Sequence, residues 1–162
     1  MTLKRKLETG IVGYLKTLTA TILKSYTFYE ASEAKDRKLP VVMVKASGEE
    51  EAFPGGAPRN VKLEFIVITS YDDNEEGEVP NDDNRQRVRE SHDEALAAIE
   101  AALEAPGVVA TIQGKLNSGA SKRLVEDFHF YDLTKTGEDS LNEKGLYGDS
   151  LAFTVVCQNY DG

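Results

Sequence analysis

This sequence predicts an α+β fold, a mostly antiparallel sheet with two main helices packed on it in a single domain covering residues 1–162. Three observations predict it. Apolar residues recur at helical spacing near the N-terminus and again in the middle of the chain, while the segments between and after them alternate or run apolar as strands do. The order is helix, strands, helix, strands, without the strict strand–helix alternation that builds a parallel sheet. A chain of 162 residues also suits one domain, long enough to bury around two-thirds of its unfolded surface.

The elements follow in order. Leu3, Leu7, Ile11, Leu15, Leu18 and Ile22 recur at helical spacing, with Tyr14 on the same side. Gly10 and Gly13 each cost about 1 kcal/mol relative to Ala, so they are read as permitting close packing. The stripe needs a partner, either its own sheet or a neighbouring subunit. Lys4, Arg5 and Lys6 read as a solvated helix start. "SYTFYEAS" predicts a short strand, and "LPVVMVKAS", with Val41, Val42, Met43 and Val44, a second and largely buried one. "GEEEAFPGGAPRN" marks a turn or an extended hairpin tip. In "NVKLEFIVITSY", Val61, Leu63, Phe65 and Val67 alternate with Lys62 and Glu64 before Ile66 and Ile68. That pattern predicts a strand half-exposed at its start and buried on both faces later.

The central helix, "NDDNRQRVRESHDEALAAIEAALEAPG", is the strongest pattern in the chain. Asn81, Asp82 or Asp83 caps it, and Val88, His92, Ala95, Leu96, Ile99 and Leu103 form its stripe. Pro106-Gly107 stops it. Three strands are then predicted, "VVATIQG", "LVEDFHFYDLT" and "SLAFTVVCQNY", separated by the loops "KLNSGASKR" and "KTGEDSLNEKGLYGD".

Charge narrows the function classes. Lys plus Arg number 19 against 28 Asp plus Glu, for a net −9. So acidic a surface disfavours gripping nucleic-acid backbones or anionic membranes, where attraction to phosphate leads. No run of about 18 apolar residues occurs to span a membrane. The charged N-terminus lacks an apolar core for a secretory signal, so a cytoplasmic life is expected. Cys157 is the only cysteine, which excludes an internal disulfide framework.

The nearest approach to a chemical site is "YDDNEEGEVPNDDN", residues 71–84. Asp72, Asn74, Glu76, Gly77, Val79 and Asp83 fall near the spacing of a calcium loop. The twelfth position is Asp83, too short to bind bidentately as Glu does, the ninth is Pro80, and a strand rather than a helix precedes the loop. A solvated strand-to-helix connection explains Gly77, Pro80 and the capping acids better, so no metal site is assigned. His92 and His129 are the only histidines and read as packed or rim side chains. Cys157 reads as a buried small hydrophobe. "SGAS" at 118–121 forms no nucleophile elbow, no phosphate-binding glycine loop occurs, and Asp127 and Asp132 read as solvating carboxylates. No catalytic, cofactor-binding or metal residues are assigned, and no enzyme activity is expected.

The element order, "LPVVMVKASGEE…NVKLEFIVITSYDD", the helix "RQRVRESHDEALAAIEAAL" and the late strand "SLAFTVVCQNY" together resemble the tail terminator (tail-completion) proteins of long-tailed bacteriophages. The likeness covers most of the chain. It implies a structural virion protein, assembled in the host cytoplasm, forming a homo-oligomeric ring, usually of six. Such a ring sits in the neck, at the head-proximal end of the tail tube, with the tube protein and the head–tail connector as partners. DNA would pass through it without specific binding. The family brings no catalytic residues. On this reading Phe53 and Arg59 at the hairpin tip, with Leu3, Leu7 and Ile11 of the first helix, are the expected subunit contacts. The alternative is a non-viral protein-binding module, dependent on a divalent cation through residues 72–83; a small-molecule enzyme ranks third.

Overall fold

The computed structural model describes residues 3–31, 38–53, 56–70, 82–118, 128–143 and 146–159. Helix α1, Leu3–Leu15, buries Leu7, Ile11, Val12, Tyr14 and Leu15. It ends earlier than the apolar stripe predicts. Thr17 N–H donates to Tyr14 O and Leu18 N–H to Leu15 O, and these shorter-span bonds tighten the last turn. The Thr17 hydroxyl adds a bond to the Tyr14 carbonyl at 2.6 Å, the local competition that makes threonine a poor helix continuer. Ile22 and Leu23 then reach the core from a separate 3₁₀ turn, Thr21–Ser25.

Five strands form one sheet: β1 Thr27–Glu30, β2 Val41–Phe53, β3 Gly56–Ser70, β4 Phe128–Glu143 and β5 Leu146–Asn159. Their spatial order is β1-β2-β3-β5-β4. β1 runs parallel to β2, and every other pair is antiparallel. The architecture is the predicted α+β fold with a mostly antiparallel sheet, but among the described residues three helices rather than two lie on it. Helix α2, Asp82–Glu104, follows the predicted stripe, burying His92, Ala95, Ile99 and Leu103.

Helix α3, Val108–Ser118, is a correction, because "VVATIQG" was predicted as a strand. Its β-branched residues mimic a strand, yet Val108 and Ile112, four apart, bury one helical face against the core. Gly107 adopts φ +79° between the two helices, which meet at 92°. The Thr111 hydroxyl and amide both bond to the Gly107 carbonyl at 3.1 Å. The supposed loop at 135–149 is corrected too. β4 and β5 pair from Phe128↔Asn159 through Glu143↔Leu146, so the polar stretch forms the far half of a long hairpin. Thr, Lys and Glu suit strands whose side chains meet solvent on one face. A third correction concerns β3. Its inner residues Val61, Leu63, Phe65, Val67 and Thr69 are buried, but Ile66 and Ile68 on the other face are only half-buried.

The core lies between the three helices and the sheet's inner face. Leu63 and Phe65 stand opposite Phe153 and Leu151, and the Phe65 and Phe153 rings meet edge to face with centroids 5.7 Å apart. Tyr14 ties α1 to the end of α2 by donating to the Ala102 carbonyl at 2.9 Å. Among the described residues no single helix is long and apolar enough to cross a membrane.

Candidate assembly edges and a buried histidine relay

The sheet is built mainly of two long hairpins whose tips point to opposite ends. β4, with 16 residues at about 3.3 Å each, extends about 50 Å. β4 lies at one margin of the sheet, and among the described residues no strand pairs with its outer side. At the other margin the four-residue β1 covers β2 only along Val41–Val44. Both margins therefore present backbone donors and acceptors of the kind that accept another strand.

The register places the candidates at the hairpin tip. Phe53 pairs with Gly56 at the end of β2, and Arg59 of β3 lies opposite Glu51 and Cys157. Glu51, Arg59, Cys157 and Phe130 thus form one row across four strands. A carboxylate residue directly opposite an arginine is a favourable cross-strand pairing, which gives Arg59 a partner position within its own chain. Leu3 begins α1, while the side chains of Leu3, Phe53 and Arg59 lie outside the described set. Leu7 and Ile11, offered by the sequence as subunit contacts, are wholly buried against this chain's own core. Their stripe found its partner within the subunit.

The calcium-like residues Asp72, Asn74, Glu76, Gly77 and Pro80 lie outside the described residues, as does Asp127; Asp83 falls in the first turn of α2. His129, Asp132 and Cys157 occupy strand positions with undescribed side chains. Among the described residues, no group of three or more His, Cys, Asp or Glu could hold a metal.

His92 is the histidine the structure places most tellingly. Only 1% exposed, it puts Nδ1 2.8 Å from Thr69 Oγ1 and Nε2 2.5 Å from Asp149 Oδ2. Thr69 Oγ1 in turn lies 2.7 Å from the Tyr26 hydroxyl. One assignment satisfies every group with a neutral ring. Tyr26 donates to Thr69, Thr69 donates to Nδ1, and Nε2–H donates to the Asp149 carboxylate. Burial pushes the Tyr26 phenol above its ordinary range, against the opposing pull of its bond to Thr69, so Tyr26 keeps its proton to donate. The relay stitches the segment entering β1 to β3, α2 and β5. Beside it Tyr147 faces His92 at 6.0 Å, and the Arg89 guanidinium stands 5.4 Å over the Tyr147 ring. Sequence reading placed His92 on the stripe but missed Tyr26, Thr69 and Asp149. The available signal was a polar residue at an inward position of β3, where alternation calls for an apolar one.

A cleft of about 170 Å³ opens between α2 and β5, lined by Asp93, Leu96, Glu100, Asp149 and Leu151. Two of its three carboxylates are engaged, Asp149 by His92 and Glu100 by Lys135 of β4 at 2.5 Å.

No protein-family model matches this sequence, and no curated protein does. Among solved structures, a chain titled "Virion of native gene transfer agent (GTA) particle" is similar over 91% of this chain and 92% of its own, at 14% identity and a TM-score of 0.47.

Proposed function

We propose that this chain is a structural virion subunit, a tail terminator that closes into a ring between tail tube and head connector. The open sheet margins are the observation that supports this reading. β2, β3, β5 and β4 form an up-down-up-down run, so β2 and β4 at its margins point in opposite directions. Rotating copies about an axis along the strands preserves those directions, so β4 of one copy meets β2 of the next antiparallel. Repetition of that one contact closes a ring where the rotation per copy divides a full turn. A two-fold β4–β4 contact would instead stop at a dimer, leaving β2 open. The sequence resemblance to tail terminators favours the ring and gives it a place in the neck, assembled in the host cytoplasm.

Six copies would carry six times −9. Phosphate binding needs basic groups, so DNA would pass through such a bore without specific attachment. The proposal includes no turnover chemistry. Thr69, the hydroxyl beside His92 and Asp149, is 8% exposed and already shared with Tyr26, which leaves a substrate no approach to it.

Native mass spectrometry tests the reading. A single species at six times 17.8 kDa, about 107 kDa, is expected, and a monomer or a closed dimer would overturn it. Phe53→Ala and Arg59→Glu should keep the circular dichroism of the parent while weakening the ring. Losing a buried Phe costs roughly 1.5–3 kcal/mol at each interface. Parent-like assembly of both variants would remove the hairpin tip from the interface.

A further inference from the structure

Glu8 is a carboxylate on α1 with only 6% of its surface exposed, and its Oε2 accepts the backbone N–H of Ala46 at 3.3 Å. A buried carboxylate is costly unless hydrogen-bonded, so this contact calls for an account. The geometry of β2 supplies one. The cover provided by β1 ends where Ala31 N–H bonds to the Val44 carbonyl at 2.8 Å. Backbone groups facing one edge of a strand recur every second residue, so the Ala46 N–H is the next donor on that edge. Glu8 occupies it in place of a further strand residue. Just beyond, the pairing of β2 with β3 shifts between Ser47 and Glu49 and again between Glu51 and Phe53, irregularities that re-aim an edge.

We infer that Glu8 is a register stop for strand addition by a second copy of this chain. With β1 and Glu8 closing the outer edge of β2 through Ala46, only residues 47–53 are open to the incoming β4. The inference rests on the ring reading above. A neighbour that slid its strand further would have to expel the carboxylate and leave it buried without this partner. The stretch of β4 level with residues 47–53 is 128–134, through the rows Glu49–Val61–Val155–Leu133 and Glu51–Arg59–Cys157–Phe130. Charge suits that match. Residues 47–53 hold Glu49, Glu50 and Glu51, whereas 128–134 hold a single acid, Asp132. The other acids of β4, Glu138, Asp139 and Glu143, lie in its far half, where a slipped register would bring like charges together.

Two variants separate the acceptor from the packing. Glu8→Gln keeps an oxygen for Ala46, while Glu8→Met has similar bulk and none. With the fold checked by circular dichroism, Glu8→Gln should give the parent's single mass and Glu8→Met a mixture of masses. In Glu8→Met the Ala46 amide should exchange about tenfold faster with solvent. A folded Glu8→Met with the parent's mass and exchange would overturn the inference. The parent protein gives a check that needs no variant. On assembly, amides within 47–53 should gain protection while that of Ala46, already bonded, should not; a gain at Ala46 would overturn the stop. A monomeric parent would defeat the ring reading itself. In that case Glu8→Met associating where the parent does not would still support the stop, and a monomeric Glu8→Met would refute it.

Discussion

Replacing Thr69 by Val isolates the energetic role of the histidine relay. Valine keeps the branched shape, so the perturbation is the loss of one hydroxyl rather than the opening of a cavity. That hydroxyl serves two neighbours, the Tyr26 phenol and His92 Nδ1, and these residues are 6% and 1% exposed. Each buried polar group left without a partner costs about 1–3 kcal/mol, so the pair together costs about 2–6 kcal/mol. For urea unfolding with a slope near 2 kcal/mol per molar, the midpoint should fall by about 1–3 M with the slope unchanged. Adding Tyr26→Phe removes one of the orphaned groups. The double variant should therefore be more stable than Thr69→Val alone, a sign of coupling that independent sites do not give. A Thr69→Val variant within about 0.5 kcal/mol of the parent would show that the hydroxyl bridges nothing of consequence. A double variant less stable than the single one would refute the relay in a different way, by showing that the phenol acts elsewhere.

Alkaline pH should weaken the fold through two tyrosines. Burial raises the Tyr26 and Tyr14 phenols above 10.0, so their contribution is full below that value and lost as pH rises through the raised folded values. Thermal melts between about pH 9 and pH 11 should fall less steeply in Tyr14→Phe/Tyr26→Phe, and an unchanged slope would count against this. Gly107→Ala should lower stability by about 1–2 kcal/mol from left-handed backbone strain alone, since nothing lies within 4 Å of an added Cβ. Gly114→Ala in α3 meets the same open space without that strain and should stabilise by about 0.5–1 kcal/mol; a loss in urea midpoint there would contradict the helix assignment. Millimolar calcium should leave the melting temperature unchanged, because only a ligand that binds the folded state raises it; a saturable rise abolished by Asp72→Ala would restore the cation-binding alternative.

By itself the sequence determined the class of fold and most of its elements, because period is a local property. The alternation of Val61, Leu63, Phe65 and Val67 and the stripe from His92 to Leu103 each reveal which face is buried, whatever lies opposite. Tertiary structure decided what local pattern leaves degenerate. "VVATIQG" reads as a strand by composition, and only a place beside α1 for Val108 and Ile112 makes it a helix. The polar stretch 135–143 reads as a loop until β5 supplies a partner for its backbone. Leu7 and Ile11 had to be buried somewhere, but their spacing could not say whether in this chain or the next. The relay was the least legible feature, since Tyr26, Thr69, His92 and Asp149 are distant in sequence and each is ordinary alone. Glu8 is similar: a carboxylate four residues before Val12 looks solvated until folding carries it to the unpaired amide of Ala46. Hydrogen bonds between distant segments have no period, and they exist only once the chain has closed on itself.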